Sequence, residues 1–340
     1  MPTPKTLRLH AFGLDHLALE DIVLGPLGPS DVHVRFHAAS LNYRDLMVVR
    51  GEYNPKLQMP RIPGSDAAGE VLAVGPAVTT LKPGDRVASL FFQDWRDGPI
   101  QNATGKSALG GPIDGVFATE RILPASGLIR IPDSLTYEQA ATLPCAALTA
   151  WNALVERGGL FAGQTVLTLG TGGVSLFALQ FASAMGARVI ATSSSDEKLV
   201  RAQALGASAT VNYRANPQWD QEVQALTNKR GVDHVVEVGG AGTLPLSLKA
   251  VTPGGKVYVI GVLSGKGATI DPTPILAKSV QVHGIYVGSR GMFERMLAAI
   301  EANRIQPVID RVFPLADYRA AFEHMANGAH FGKIVLDLAM

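Results

Sequence analysis

The segment TVLTLGTGGVSLFALQFASAMGARVIATSSSDEK, residues 165–198, constrains this chain more than any other. Its first five residues are an apolar, β-branched run, too short for a helix and suited to a buried parallel strand. Gly170, Gly172 and Gly173 interrupt it, and a helix is expected from about Val174. Glycine permits a tight turn and a close approach of backbone to a ligand, while the first turn of the helix aims N–H groups at an anion. Ser175 takes the third small position of a GxGxxG pattern, where the helix packs closely on the strand. A glycine turn alone can be a plain loop, so its setting decides. Further strands are expected at 188–192, 209–213, 233–238, 256–260 and 280–285, with helical stretches between them. That alternation builds a six-stranded doubly wound sheet with a place for the diphosphate of a dinucleotide. A nicotinamide cofactor is the expected ligand.

At 340 residues the chain exceeds what one core usually holds, so two domains are expected. With 17% charged residues and a net charge of +1, nothing points to a nucleic-acid or membrane partner. The opening MPTPKTLRLH lacks the apolar run of a signal peptide and no apolar stretch reaches the ~18 residues of a membrane span, so a cytoplasmic location is expected. Cys145 is the only cysteine, which rules out an internal disulfide and a cysteine-rich zinc lobe.

The part before Cys145 reads as β-rich. Val32, Val34, Phe36 and Ala38 alternate with His33, Arg35 and His37, which predicts a strand with one buried and one solvated face. The two histidines are spaced as a metal pair on a helix would be, but this pattern is a strand. Residues 63–78 and 81–90 read as a strand pair, and 91–115 as an exposed loop whose Phe91, Phe92 and Trp95 either line a pocket or pack the loop. Helical spacing returns at 292–302 and 316–327, and a last strand at 333–338 is expected to rejoin the first domain. The implied division is 1–145 and 287–340 around an inserted 146–286.

Asn42-Tyr43-Arg44-Asp45, Pro63-Gly64-Ser65-Asp66-Ala67-Ala68-Gly69, Lys82-Pro83-Gly84-Asp85-Arg86-Val87, the Gly170 turn and Ile260-Gly261 together resemble the medium-chain dehydrogenase/reductase superfamily, and within it the zinc-independent quinone oxidoreductase-like branch. The resemblance implies an α/β chain: a Rossmann doubly wound parallel sheet inserted into a β-rich GroES-like catalytic domain, usually in a homodimer. A dimer would pair residues 280–285 with their twin. The superfamily's zinc alcohol dehydrogenases carry cysteine, histidine and cysteine as ligands where this chain has Asn42, Ser65 and Cys145. Zinc prefers thiolate, imidazole or carboxylate, so no zinc is expected, and Cys145 reads as a small buried residue. A retained metal would need Asp45 or Asp66 as a substitute ligand.

NAD-specific sheets usually place an acid at the end of the second strand, to hold the ribose 2′-hydroxyl. Here Ser193 and Ser194 stand there, with Lys198 one helical turn on, which favours NADP(H) over NAD(H). The resemblance sets Tyr213 against the same phosphate. Thr171 and Val174 belong to the diphosphate turn. Val238-Gly239-Gly240, Ile260-Gly261-Val262 and Val287-Gly288-Ser289 follow strands whose carboxyl ends should face the nicotinamide, and Thr149 matches the family position beneath its ring. Without a metal, a carbonyl must be polarised by hydrogen bonds, which suits conjugated acceptors better than plain alcohols. The quinone oxidoreductase pattern offers Asn42 and Tyr53 as donors, with Arg44 a third candidate. The function expected is NADPH-dependent reduction of a quinone or α,β-unsaturated carbonyl. The alternatives are a zinc-free alcohol dehydrogenase or aldehyde reductase, and an NADPH-binding protein with little catalysis.

Overall fold

The computed structural model describes residues 3–265, 267 and 269–339. The chain divides into two compact units, Met1–Ala146 with Gly288–Met340, and Ala147–Val287.

The Ala147–Val287 unit is built on six parallel strands. Their order across the sheet is Ala209–Asn212, Arg188–Ser193, Thr165–Thr168, Val232–Glu237, Val251–Val259 and Gln281–Gly284. Thr165–Thr168 and Val232–Glu237 are buried along their whole length, as β-branched runs covered on both faces must be. The strand order reverses between these two, so the crevice outside their carboxyl ends is where such sheets take ligands. The fifth strand begins at Val251, ahead of the expected residue 256. Val251 pairs with Val232, and a register shift then carries the strand through Gly254, at φ +74°, into its regular part.

In the other unit a seven-stranded sheet runs Ile309–Pro314, Lys333–Asp337, Asp31–Leu41, Asp66–Val74, Arg86–Ser89 and Leu128–Arg130, with Glu120–Pro124 also pairing Asp31–Leu41. The chain's last strand thus lies beside Asp31–Leu41, with Ile334 opposite Leu41. Val32, Val34, Phe36 and Ala38 are all fully buried, as the alternation requires. The opposite face, expected to be solvated, is half-buried and paired. His33 meets Glu120 at 2.8 Å, Arg35 meets it at 3.1 Å, and His37 stacks on Tyr137 at 4.5 Å. Both neighbours arrive from later in the chain, beyond the reach of a local pattern.

The expectation of an exposed loop over 91–115 holds for residues 96–103, which are exposed, and is corrected at the two ends of the segment. Phe91, Phe92 and Trp95 are buried and meet edge-on, with centroids 4.8 and 5.6 Å apart. Thr104–Ser107 forms a 3₁₀ turn, and Ala108 and Leu109 are buried beyond it. Aromatic area at one end of the segment outweighs its polar composition. Among the described residues no helix is long and apolar enough to cross a membrane.

Candidate active site

Within the Ala147–Val287 unit, Gly170 takes φ +73° and donates its N–H to Thr192 Oγ1 at 3.1 Å, and Gly172 caps the helix Gly173–Ala184. A Cβ on Gly170 or Gly172 would meet no protein atom within 4 Å. Packing within the chain therefore does not require glycine at 172; the space beside the turn suits a ligand pressed against backbone. Ser175, in the position usually held by glycine, donates to Leu169 O at 2.7 Å and so stays inside the turn's own hydrogen bonding. Thr171 is buried and Val174 half-buried.

At the end of the second strand Ser193 is buried and Ser194 half-buried. Ser195 caps the helix Asp196–Ala204 by accepting from Lys198 N at 3.4 Å, and Tyr213 N donates to Ser193 O at 3.0 Å. Those contacts gather Ser193, Ser194, Lys198 and the partly exposed Tyr213 at one strand end. The nearest acid, Asp196, accepts from Asn212 Nδ2 at 2.7 Å.

The glycines after the fourth and fifth strands have a different cause. A Cβ on Gly239 would strike Thr243 Oγ1 at 2.2 Å, and one on Gly261 would strike Val238 O at 2.2 Å. Glu237, fully buried, organises this region. Its Oε1 accepts from Gly239 N at 2.8 Å, Gly240 N at 3.0 Å and Thr243 Oγ1 at 2.6 Å, and its Oε2 accepts from Ser247. Ile260 N donates to Glu237 O at 2.9 Å, which joins Ile260-Gly261-Val262 to the same knot. Reading along the chain missed Glu237; the only signal was an acid closing an otherwise apolar strand.

Thr149 is buried in the short helix Leu148–Trp151, which lies between two π-helical stretches, Leu143–Ala147 and Asn152–Arg157. Such stretches concentrate at functional positions. Val287 takes φ +53°, unfavourable for a β-branched residue, and its carbonyl accepts from Asn152 Nδ2 at 2.7 Å. Gly288 opens the returning segment of the other unit. There Ser289 caps the helix Arg290–Asn303 by accepting from Met292 N, and donates to Asp97 at 3.2 Å.

The catalytic candidates lie in the Met1–Ala146 and Gly288–Met340 unit, in a buried polar cluster. Asn42 precedes the helix Tyr43–Val49, and its backbone N–H donates to Asp45 Oδ2 at 2.8 Å. Its side-chain Oδ1 accepts from Lys333 Nζ at 2.6 Å. Its Nδ2 lies beside the Asp66 carboxylate and is buried without a hydrogen bond of normal geometry. Asp66 accepts from Ser65 Oγ at 2.5 Å and from Cys145 N at 3.0 Å. Arg44 donates to Leu109 O at 2.7 Å and lies 5.1 Å from the Tyr53 ring and 4.8 Å from the Phe91 ring. The structure thus brings Arg44 and the half-buried Tyr53 together and holds Arg44 in place by contacts of its own.

Burial dominates the electrostatics. It pushes Asp45 up to about 6 against the pull of Arg44, and raises Asp66 against the pull of Lys333. Burial lowers Lys333, while the charges of Asp66 and Asp45 draw it back up. Burial and the Asp66 charge raise Cys145, which keeps its sulfur a thiol. Expected to be buried, Cys145 is half-buried as a residue. Among the described residues no three His, Cys, Asp or Glu side chains gather as a metal would need. Lys333, read from sequence only as the start of a strand, is the residue of this cluster that was missed; a lysine opening the run KIVLDL was the signal available.

Residues 28–133 match the family described as the alcohol dehydrogenase GroES-like domain, and residues 173–302 that described as zinc-binding dehydrogenase. The chain is 45% identical over 333 residues to a zinc-type alcohol dehydrogenase-like protein of Schizosaccharomyces pombe, covering 96% of each chain. It is 30% identical to quinone oxidoreductase-like protein 2 of Bos taurus, over 95% of this chain and 89% of that one. The crystal structure of a candidate alcohol dehydrogenase from Sinorhizobium meliloti superposes with a TM-score of 0.92 at 44% identity, over 99% of each chain.

Proposed function

Since the chain belongs to the medium-chain dehydrogenase/reductase superfamily, a family of nicotinamide-dependent oxidoreductases, we propose that it reduces a quinone or an α,β-unsaturated carbonyl with NADPH and without zinc. The observation that carries this reading is the state of Asn42: Oδ1 is engaged by Lys333, and of the two N–H groups on the buried Nδ2 no more than one is taken up by the Asp66 carboxylate beside it.

A zinc ion does not fit the residues at the three ligand positions. Asn42 Oδ1 faces an ammonium and Ser65 Oγ donates to a carboxylate, which leaves Cys145 as the one ordinary zinc ligand of the three. Asp66, the substitute ligand, is committed to Ser65 and Cys145 N. NADPH does fit the residues of the other unit: the open turn at Gly170 and Gly172 suits its diphosphate, and Ser193, Ser194, Lys198 and Tyr213 suit a 2′-phosphate.

When bound, NADPH supplies the hydride. As the acceptor is reduced, negative charge develops on its carbonyl oxygen, and Asn42 Nδ2–H is the donor that would stabilise it. One such donor contributes about 3 kcal/mol to the transition state, enough where conjugation already lowers the barrier. Tyr53 or solvent returns the proton. The exposed edge of the sheet at Gln281–Gly284, with Val282 outward and the well-exposed Leu276 before it, suits pairing with a second copy of the chain.

Loss of NADPH absorbance across a panel of enones, quinones, aldehydes and alcohols tests the proposal. Turnover confined to simple aldehydes or alcohols would favour the zinc-free alcohol dehydrogenase reading instead, and about one zinc per chain by metal analysis would overturn the metal-free site.

A further inference from the structure

Lys333 is buried at the first position of the strand Lys333–Asp337, and the antiparallel pairing of Ile334 with Leu41 sets it beside the end of Asp31–Leu41. From there Nζ donates to Leu41 O at 2.6 Å and Asn42 Oδ1 at 2.6 Å. An ammonium has three donors and no acceptor, so it can meet an amide only through the amide oxygen. That contact fixes which way Asn42 faces: Oδ1 toward Lys333, Nδ2 away from it. A hydrogen bond from a cation also draws electron density toward Oδ1, which makes the N–H at the other end of the amide a stronger donor. The ammonium has charge partners as well, since Asp66 and Asp45, both fully buried, lie in the same cluster. A lysine kept in the core only to neutralise them would have no need to be hydrogen-bonded to the Asn42 amide.

We infer that Lys333 is the positioning residue of the Asn42 donor: its ammonium orients and polarises the amide so that Nδ2–H is the group offered to a developing oxyanion. The inference rests on the proposed reduction of conjugated carbonyls. It predicts that Lys333 and Asn42 act as one unit in the chemical step, whereas a lysine serving only the fold would act independently of Asn42.

The test is a double-mutant cycle on Lys333→Met and Asn42→Ala, read as kcat and KM with cyclohexenone and with naphthoquinone, together with NADPH binding by fluorescence titration. Lys333→Met should lower kcat roughly 10- to 100-fold with NADPH affinity unchanged, and the double variant should be no slower than Asn42→Ala within about twofold. Losses that multiply, or a Lys333→Met enzyme with unaltered kcat, would overturn the inference while leaving Asn42 its role. An Asn42→Ala enzyme as fast as the unmodified one would remove the donor reading itself. If Lys333→Met does not fold, Asp66→Asn combined with Lys333→Met removes both charges of the pair and carries the same readout. In that background, adding Asn42→Ala should slow the enzyme by no more than about twofold, and a further loss of tenfold or more would overturn the inference.

Discussion

Glu237 and Asp66 are both carboxylates with no exposure to solvent, each near the end of a strand, yet their surroundings differ in kind. Glu237 is saturated by donors from the turn that follows it: two backbone N–H groups and two hydroxyls, all within ten residues. Asp66 accepts from one hydroxyl and one N–H, has the Asn42 amide beside it, and lies in a cluster whose lysine is shared with that amide. The first arrangement shapes backbone and has nothing left over. The second leaves at least one N–H of the buried Asn42 Nδ2 unmatched beside Asp66, and a donor buried in that state costs about 1–3 kcal/mol unless a ligand completes it. Local saturation marks a structural carboxylate, and an incomplete set of partners marks a place for chemistry.

The largest expected effect lies on the saturated side. Glu237→Ala would strand Gly239 N, Gly240 N, Thr243 Oγ1 and Ser247 Oγ in a buried turn, for a loss on the order of 4 kcal/mol. Urea unfolding would measure it, and NADPH affinity should fall with it because the turn carries Val238 to Gly240. A loss below about 1 kcal/mol would mean that the turn holds without its carboxylate, and the contrast with Asp66 would collapse.

A smaller effect, on the incomplete side, depends on pH. Burial holds Asp45 up at about 6, above its ordinary 3.8, with Arg44 3.8 Å away and Asp66 and Lys333 also facing it. Between those values the folded protein keeps a proton that the unfolded chain has lost. This carboxyl's contribution to stability is therefore greatest below the lower value and declines as pH rises through the upper one, by up to about 3 kcal/mol. Asp45→Asn keeps an acceptor for Asn42 N and removes the titration. The unfolding free energy of the native protein minus that of the variant should fall between about pH 4 and 7. A difference that stays flat would show Asp45 ionised throughout and paired with Arg44.

The contrast also explains how far the residues could be read in order. The diphosphate turn was legible because strand, glycines and helix are contiguous, so period and composition act over neighbours. Asn42 and Ser65 stand out by residue type alone as poor zinc ligands. The role of Lys333 was hidden, because its partner Asn42 is 291 residues away and only the sheet register brings them together. The face of His33, Arg35 and His37 was misjudged for the same reason, since Glu120 and Tyr137 cover it from later in the chain. Glu237 was overlooked although its partners are local: an acid at a strand end resembles an ordinary exposed terminus until burial is known.

A second comparison lies within the Ala147–Val287 unit, between strand ends. Val232–Glu237 closes on a carboxylate, whereas Arg188–Ser193 closes on a hydroxyl with Ser194 beyond it, and Asp196 is turned to Asn212. A carboxylate at the second position would repel a 2′-phosphate, and under the proposed function its absence makes Lys198 the charge expected to distinguish NADPH from NADH. Lys198→Ala should weaken NADPH about tenfold, or about 1.4 kcal/mol, and leave NADH unchanged in parallel fluorescence titrations. The helix itself should survive, because its cap uses Lys198 through the backbone N–H, which alanine keeps. Equal weakening of both cofactors would assign Lys198 to the helix and not to the phosphate. An unchanged preference for NADPH would move recognition to Tyr213 and the serines, whose hydroxyls would then have to hold the phosphate without a full positive charge.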